Sequence, residues 1–402
     1  MTDSSISAHR ETLLAAGPPA AVTMFTALLT RGTMTRGELG ARTGFSAGAV
    51  TKALRPLIES GHVRELPEQW SPSGAGRPAL PLQVDAERAY LVGVKITADE
   101  VIGVLTDLRL RVVDRHRVAL PTIVEAGHHA HTVDADDALA AIVELVGRLV
   151  QDDPGRGDRL AGVGVAVSGD VDARAGLVRF SPLLGWRGIS LAERLEAQLG
   201  IPTTVENDVR ALTVAEQWFG VGLDTSFFAL VTVGTGVGCG IVADGALLTG
   251  AHGVVGELGH LPVDPAGPEC HCGGTGCVEA LIGEAALLDR IAEAVDQPVR
   301  TIDHARALAT ESAAVRAIFA DVGRVLGLAL ATVANLLGPE KIVLTGETMV
   351  AYDLFADDLT KSFEAQCFGA AQQCSITVRP LQFEHWARGA AAVAIARLVR
   401  AA

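Results

Sequence analysis

"GELGHLPVDPAGPECHCGGTGCVEA" spans residues 256–280 and holds three of the six cysteines in a chain of 402 residues. Cys270, Cys272 and Cys277 crowd together, and His260 stands shortly before them. The pattern His-x9-Cys-x-Cys-x4-Cys offers one imidazole and three thiolates, a set of soft and borderline ligands that suits tetrahedral Zn²⁺. Four protein ligands leave no position for water, so such a metal is structural, one ion per chain. Disulfide pairing would leave one cysteine odd. Cys239, Cys367 and Cys374 show no partner spacing and read as small core residues.

Around this segment the chain reads as a soluble multi-domain protein, its length predicting two or three domains. No uninterrupted apolar run reaches the roughly 18 residues of a membrane helix. The most apolar stretch, "VLGLALATVANLLG" (325–338), reads as a buried core helix. The first residues lack a basic region followed by an apolar core, so a cytoplasmic location with no membrane partner is expected. Thiols stay reduced there, which favours the metal over a disulfide. The net charge of −14 is uneven: residues 1–80 carry 8 Lys and Arg against 6 Asp and Glu. The acidic remainder repels nucleic acid, and only the first segment can approach it.

That segment predicts three helices. The first covers about residues 20–31, with Val22, Phe25, Leu28 and Leu29 on one face. The second follows Thr35, whose capping-box partner is Glu38, and ends at Gly44. The third starts at Ser46 and presents Val50, Leu54, Leu57 and Ile58 at helical spacing. Two short helices joined by a glycine-containing turn are a helix-turn-helix, whose second helix enters the DNA major groove. Ser46, Ala47, Thr51, Lys52 and Arg55 are the expected DNA-binding residues of that helix. Pro56 predicts a bend beyond its groove-contacting half. Two extended pieces around a Gly/Pro/Ser-rich tip then read as a wing, with Arg77 of "GAGRP" placed for a narrow A·T-rich minor groove.

From Tyr90 the pattern changes. Three strand-like runs are followed by a helix, a buried strand "LAGVGVAVSG" (160–169) and another helix. "FFALVTVGTGVGCGIVADGALLTG" (227–250) then restarts the hairpin strands, and helices alternate with "KIVLTG" and "SITVRP". Two similar halves, each opening on hairpins and closing on alternating helices and strands, predict a pseudo-repeated α/β fold with ligands at strand carboxyl ends. The expected domains are 1–84, the winged helix; 85–205, a first lobe completed by a C-terminal helix 386–402; and 206–385, a second lobe. Asn207 and Asp208 follow a strand, where an amide and a carboxylate can grip several sugar hydroxyls. Glu206 beside them reads as a solvated or helix-capping carboxylate.

"VENDVRALTVAE", "TVGTGVGCG", "GVVGELGH" and "CHCGGTGCVEA", in this order, resemble the ROK family of repressors, open reading frames and sugar kinases. The preceding winged helix resembles its repressor branch. The resemblance implies a two-lobed actin-like, hexokinase-like (ribonuclease H-like) fold. It implies ligand-binding roles for Gly169, Asn207, Asp208, Glu257, His260 and Glu279, with His260 touching zinc and sugar through different nitrogens. In the family's kinases the aspartate matching Asp208 is the general base.

The kinases' first phosphate loop reads Asp-x-Gly-Gly-Thr-Lys. Here residues 95–100 are Lys95, Ile96, Thr97, Ala98, Asp99 and Glu100, without either glycine and with acids where a triphosphate would lie. The second loop, "GTGVGCG" (234–240), survives; the adenosine-side "LTGETM" (344–349) departs at Thr345 and Glu347. The sequence therefore predicts a non-enzymatic, sugar-responsive regulator. It would bind a palindromic operator as a homodimer or dimer of dimers and answer to a sugar or sugar phosphate between its lobes. Lys95, Arg187 and Arg210 are candidate partners for a ligand phosphate. The competing readings are an ATP-dependent sugar kinase and a DNA-binding scaffold with a non-functional pocket.

Overall fold

The structure, a computed structural model, describes residues 19–67, 80–121, 123–124 and 131–400. It opens on three helices, α1 (Pro19–Arg31), α2 (Arg36–Thr43) and α3 (Ala47–Glu59). Thr35 Oγ1 accepts from Glu38 N, and Glu38 Oε2 accepts from Thr35 N at 2.7 Å, closing a capping box. Gly44, with φ of 74°, ends α2, and Ser46 caps α3. Val50, Ala53, Leu54 and Leu57 of α3 are buried, while α1 contributes Met24, Phe25, Leu28 and Leu29 to the same small core. Pro56 sits on the exposed side of α3, which continues past it to Glu59, so the motif stays whole. Strands β1 (Val63–Glu65) and β2 (Leu82–Val84) pair antiparallel. They frame the wing, whose tip, including Arg77, lies outside the described residues.

The chain divides into two compact units, one running to Leu223 and resumed at Glu384, the other Asp224–Phe383. In the first, β3 (Tyr90–Ile96), β4 (Glu100–Asp107) and β5 (Val112–Ala119) form an antiparallel meander. Helix α4 (Ala135–Val150) covers it and leads to β6 (Leu160–Val167), parallel to β3. Helix α5 (Leu191–Leu199) leads to β7 (Thr203–Asn207), parallel to β6. Helix α6 (Asp208–Phe219) follows at once. Every residue of β3 and β6 is buried, as strands covered on both faces must be.

The second unit repeats this order. Strands β8 (Phe228–Val233), β9 (Val237–Ala243) and β10 (Ala246–Leu247) form the meander, and β11 (Lys341–Thr345) and β12 (Ser375–Val378) add in parallel beside β8. Both five-stranded sheets thus run third, second, first, fourth, fifth in order of appearance. This duplicated α/β topology is the two-lobed fold the sequence predicts. Its second core is organised by α7 (Ala313–Leu337), which buries Phe319, Leu326 and Leu330 completely. Each such side chain contributes roughly 1.5–3 kcal/mol. By length and composition α7 could cross a membrane, but more than half of its apolar window is packed inside the unit.

The final helix, α8 (Glu384–Arg400), returns to the first unit and lies on β3 and β6. Gly93 and Gly164 make that approach possible. A Cβ at either would stand 1.9 Å from a helix carbonyl, of Ala387 and Ala390 respectively.

Candidate metal, ligand and DNA sites

The metal candidate is held by a compact turn in the second unit. Cys270 N donates to Gly274 O at 2.8 Å, and Gly276 N donates to Pro268 O at 2.8 Å. Gly276, with φ of 64°, turns so tightly that a Cβ would fall 1.6 Å from Asp264 O. The turn brings the side-chain ligand atoms of His260, Cys270, Cys272 and Cys277 within 4.8 Å of one another. His260 presents Nδ1, 3.6 Å from Cys270 Sγ, and Cys272 Sγ lies 3.8 Å from Cys277 Sγ. A tetrahedral Zn²⁺ with bonds of about 2.3 Å to sulfur and 2.0–2.1 Å to nitrogen has S···S edges of about 3.8 Å and S···N edges of about 3.6 Å. The donor set fits that ion in both identity and span. Without a cation the cluster is electrostatically awkward. Burial pushes the Cys277 thiol up to about 12, while the Gly274 backbone N–H draws Cys272 below its ordinary value.

Glu279, just after the last cysteine, has both carboxylate oxygens engaged. Oε2 accepts from Val237 N at 2.8 Å and Oε1 lies 2.5 Å from His271 Nε2. The His271 ring meets His260 edge to face at 5.1 Å. His271 was missed in the sequence, although it stands between two cysteines of the motif. Glu257 begins the short helical turn that carries His260. The second unit therefore gathers Glu257, His260 and Glu279 around the cysteine turn. Cys239, Cys367 and Cys374 lie in its apolar core.

The first unit gathers the other candidates. Asn207 closes β7 and caps α6, accepting from Arg210 N at 3.1 Å, and its Nδ2 donates to Gly169 O at 3.0 Å. Asp208 Oδ1 accepts from Val209 N, and Oδ2 accepts from Lys95 Nζ. The Lys95 and Asp208 side chains are only 7% and 12% exposed, so this is a buried ion pair. Lys95 also lies 5.6 Å from the centre of the Trp386 ring. Glu206, expected to be a solvated or helix-capping carboxylate, is not solvated. It is buried, accepts from Arg210 Nε at 2.8 Å and from Asn207 N at 2.8 Å, and burial raises it above the ordinary carboxylate range. Arg210 is thereby bound into the unit and also donates to Val171 O. Arg187 stacks on Phe180 at 4.2 Å.

The residues that align with the kinase-type loops make the following contacts. Thr97 N donates to Glu100 O at 2.9 Å, so Ala98 and Asp99 form a two-residue loop between β3 and β4, and Glu100 pairs with Arg117. In the second unit Gly234 packs against the Glu347 carboxylate, and Glu284 N donates to Gly234 O. Burial and the nearby Glu347 raise Glu284 above its ordinary value.

On α3, Ala47, Thr51, Lys52 and Arg55 are exposed on the side opposite the buried face, and Ser46 is exposed at its start. Arg55 pairs with Glu59 one turn on, at 2.7 Å.

Comparison with known proteins places these features together. A model described as the ROK family matches residues 91–397. The DNA-binding transcriptional dual regulator NagC of Escherichia coli K12 is 30% identical over 332 residues, covering 79% of this chain and 77% of its own. The crystal structure of a ROK family transcriptional regulator, a homologue of the E. coli Mlc protein, superposes with a TM-score of 0.79 at 25% identity, over 94% of this chain and 96% of that one. A ROK family glucokinase from Streptomyces griseus, solved with glucose and AMPPNP, reaches 0.63 at 26% identity over 76% and 99%. The kinase accounts for about three quarters of the chain, whereas the regulator accounts for nearly all of it. From the family match, the shared motifs and the duplicated sheet order together, the chain belongs to the ROK family.

Proposed function

We propose that this chain is a transcriptional repressor of sugar or amino-sugar metabolism, which binds operator DNA as a homodimer or dimer of dimers and responds to a sugar or sugar phosphate. The observation that carries the reading is the capped helix-turn-helix, with an exposed polar and basic face on α3, joined to the whole ROK fold. Major-groove contact falls to Ser46, Ala47, Thr51, Lys52 and Arg55, and minor-groove contact to Arg77. The relatives support the sugar reading, since one bears the name N-acetylglucosamine repressor.

In this proposal Gly169, Asn207, Asp208, Glu257, His260 and Glu279 bind the effector. The four-ligand cluster holds one Zn²⁺, which gives no chemistry beyond fixing the loop. With Nδ1 turned to the metal, the opposite nitrogen of His260 is left for a hydroxyl group. Closure of the two lobes changes operator affinity only so far as the effector binds the two states differently.

Catalysis is not part of the proposal. A general base needs a carboxylate whose basicity is not lowered by a paired cation, near the sugar hydroxyl. Asp208 instead accepts from buried Lys95, and the Glu284–Glu347 pair brings negative charge to the second glycine loop. Two measurements decide. The protein titrated onto selected genomic operator fragments, with and without a panel of sugars and their 6-phosphates, is expected to bind in a sugar-dependent way. The protein with Mg-ATP and the same sugars is expected to release no ADP; sustained turnover would establish a kinase instead. Operator binding with no thermal shift from any sugar would mark a scaffold with a dead pocket.

A further inference from the structure

A cavity of about 400 Å³ opens where the DNA-binding helices meet the first α/β unit. Its walls include Thr30 of α1, Arg109, Leu110 and Arg111 from the β4–β5 turn, Phe219 at the end of α6, and Arg388 of the final helix. That size suits a small ligand.

The chemistry of the walls is one-sided. Three arginines line one space, and none forms an ion pair among the described residues. Elsewhere in this acidic chain arginines find carboxylates readily: Arg36 with Glu65, Arg115 with Glu384, and Arg179 with both Asp170 and Asp172. Arg388 Nε is buried with no hydrogen-bond partner among the described residues. Burial lowers Arg388 from its ordinary value, the larger effect against the opposing pull of Glu216 and Glu384, neither of which forms an ion pair with it. Asp107 of the same turn accepts from the backbone N–H groups of Arg109 and Arg111, at 2.8 and 2.9 Å, and its charge acts on both arginines without an ion pair to either guanidinium. The C-terminal end of α1 adds about half a negative charge, and Asp107, Glu216 and Glu384 act on the same cations without pairing with them, which leaves the guanidinium N–H groups open to a ligand.

The turn also carries strain. Leu110 is buried and has φ of 59°, a left-handed conformation that a branched side chain adopts at a cost. Its reward is the placement of Arg109 and Arg111 on either side of it, both on the cavity wall.

We infer that this joint is a second ligand site, for a small molecule carrying a phosphomonoester or pyrophosphate group. Guanidinium forks match phosphate oxygens two at a time, and a multiply charged anion can answer three cations at once. Phe219 supplies an apolar wall for the rest of the ligand. Because the walls come from both α1 and the body, an occupant ties the DNA-binding helices to the unit behind them. The regulatory consequence rests on the reading of the chain as a DNA-binding regulator; the binding itself does not.

The test uses the full chain without DNA or sugar. Inorganic phosphate and pyrophosphate are titrated by calorimetry and thermal shift, with ionic strength held constant by NaCl. Saturable binding is expected, tighter for pyrophosphate, and weaker by about ten-fold or more in Arg109→Gln and Arg388→Gln. Arg111→Gln, at an exposed position, provides a variant with little risk to folding. All three keep the cysteine cluster, so any extraction of metal by pyrophosphate is common to parent and variants. Equal binding in parent and variants overturns the proposal, as does a shift that NaCl reproduces. Loss of operator affinity in the variants, with no anion binding in the parent, also overturns it, since the arginines would then be reading DNA phosphates. A failed sugar response leaves the anion titration untouched, so the two readings fail separately.

Discussion

Lys95 and Asp208 are 113 positions apart in the chain and meet in a buried ion pair. Removing one member strands the other, which costs about 3 kcal/mol or more. Lys95→Ala is therefore expected to lower the urea midpoint markedly, and Lys95→Met combined with Asp208→Asn to recover most of the loss. Equal midpoints for Lys95→Ala and the parent would mean that water reaches the pair. At the metal cluster, Cys277→Ser is expected to retain less than about a tenth of the parent's zinc by elemental analysis, because three ligands leave an open, labile position. Full zinc content in that variant would contradict the four-ligand site. These two sites also mark what could be read in advance. The cluster was legible because its ligands lie within one short loop, and spacing alone brings them together. The fate of Lys95 was not, because its partner is set by the pairing of β3, β6 and β7 rather than by any local pattern. Glu206 was misjudged for the same reason: its position at the buried end of β7 is a property of the sheet.

At the scale of elements, the caps were legible and proved to be bonds. Thr35→Ala removes one half of a capping box and is expected to cost about 1 kcal/mol in chemical denaturation, with weaker operator binding following from a frayed α2. No change in stability would mean that α3 and the wing hold α2 without its cap. The β4–β5 turn makes a different prediction, in pH. Burial raises Asp107 above its ordinary value, the larger effect against the opposing backbone bonds and arginines. A raised carboxyl favours the folded state while protonated, and that advantage is lost as pH climbs from its unfolded to its folded value. Asp107→Asn keeps an acceptor for both N–H groups and lacks the loss. Its Tm relative to the parent is thus expected to become more favourable between about pH 4 and about pH 7. A pH-independent difference would show that the arginines and backbone bonds cancel the effect of burial, and a reversed one that they outweigh it.

At the scale of the molecule, the duplicated sheet order was visible as a restart of hairpin strands near residue 227. The close packing of the last helix was not, since it depends on Gly93 and Gly164 meeting Ala387 and Ala390 across most of the chain. Charge was also informative at this scale. A body with a large acid excess behind a slightly basic head predicts DNA binding carried by few cations and correspondingly modest in its salt dependence. Lys52→Ala is expected to reduce the slope of log affinity against log salt by about 1 if Lys52 touches a phosphate. An unchanged slope would assign it to a base edge or to solvent.

The return of α8 to the first unit sets an order of events during synthesis. The second unit, Asp224–Phe383, is continuous and can fold as soon as it leaves the ribosome. The first unit waits with one face of β3 and β6 uncovered until Glu384–Arg400 are made. A chain stopped at Phe383 should therefore aggregate, while the isolated 224–383 segment stays soluble. The first unit is thus completed only in chains that contain the segment Glu384–Arg400.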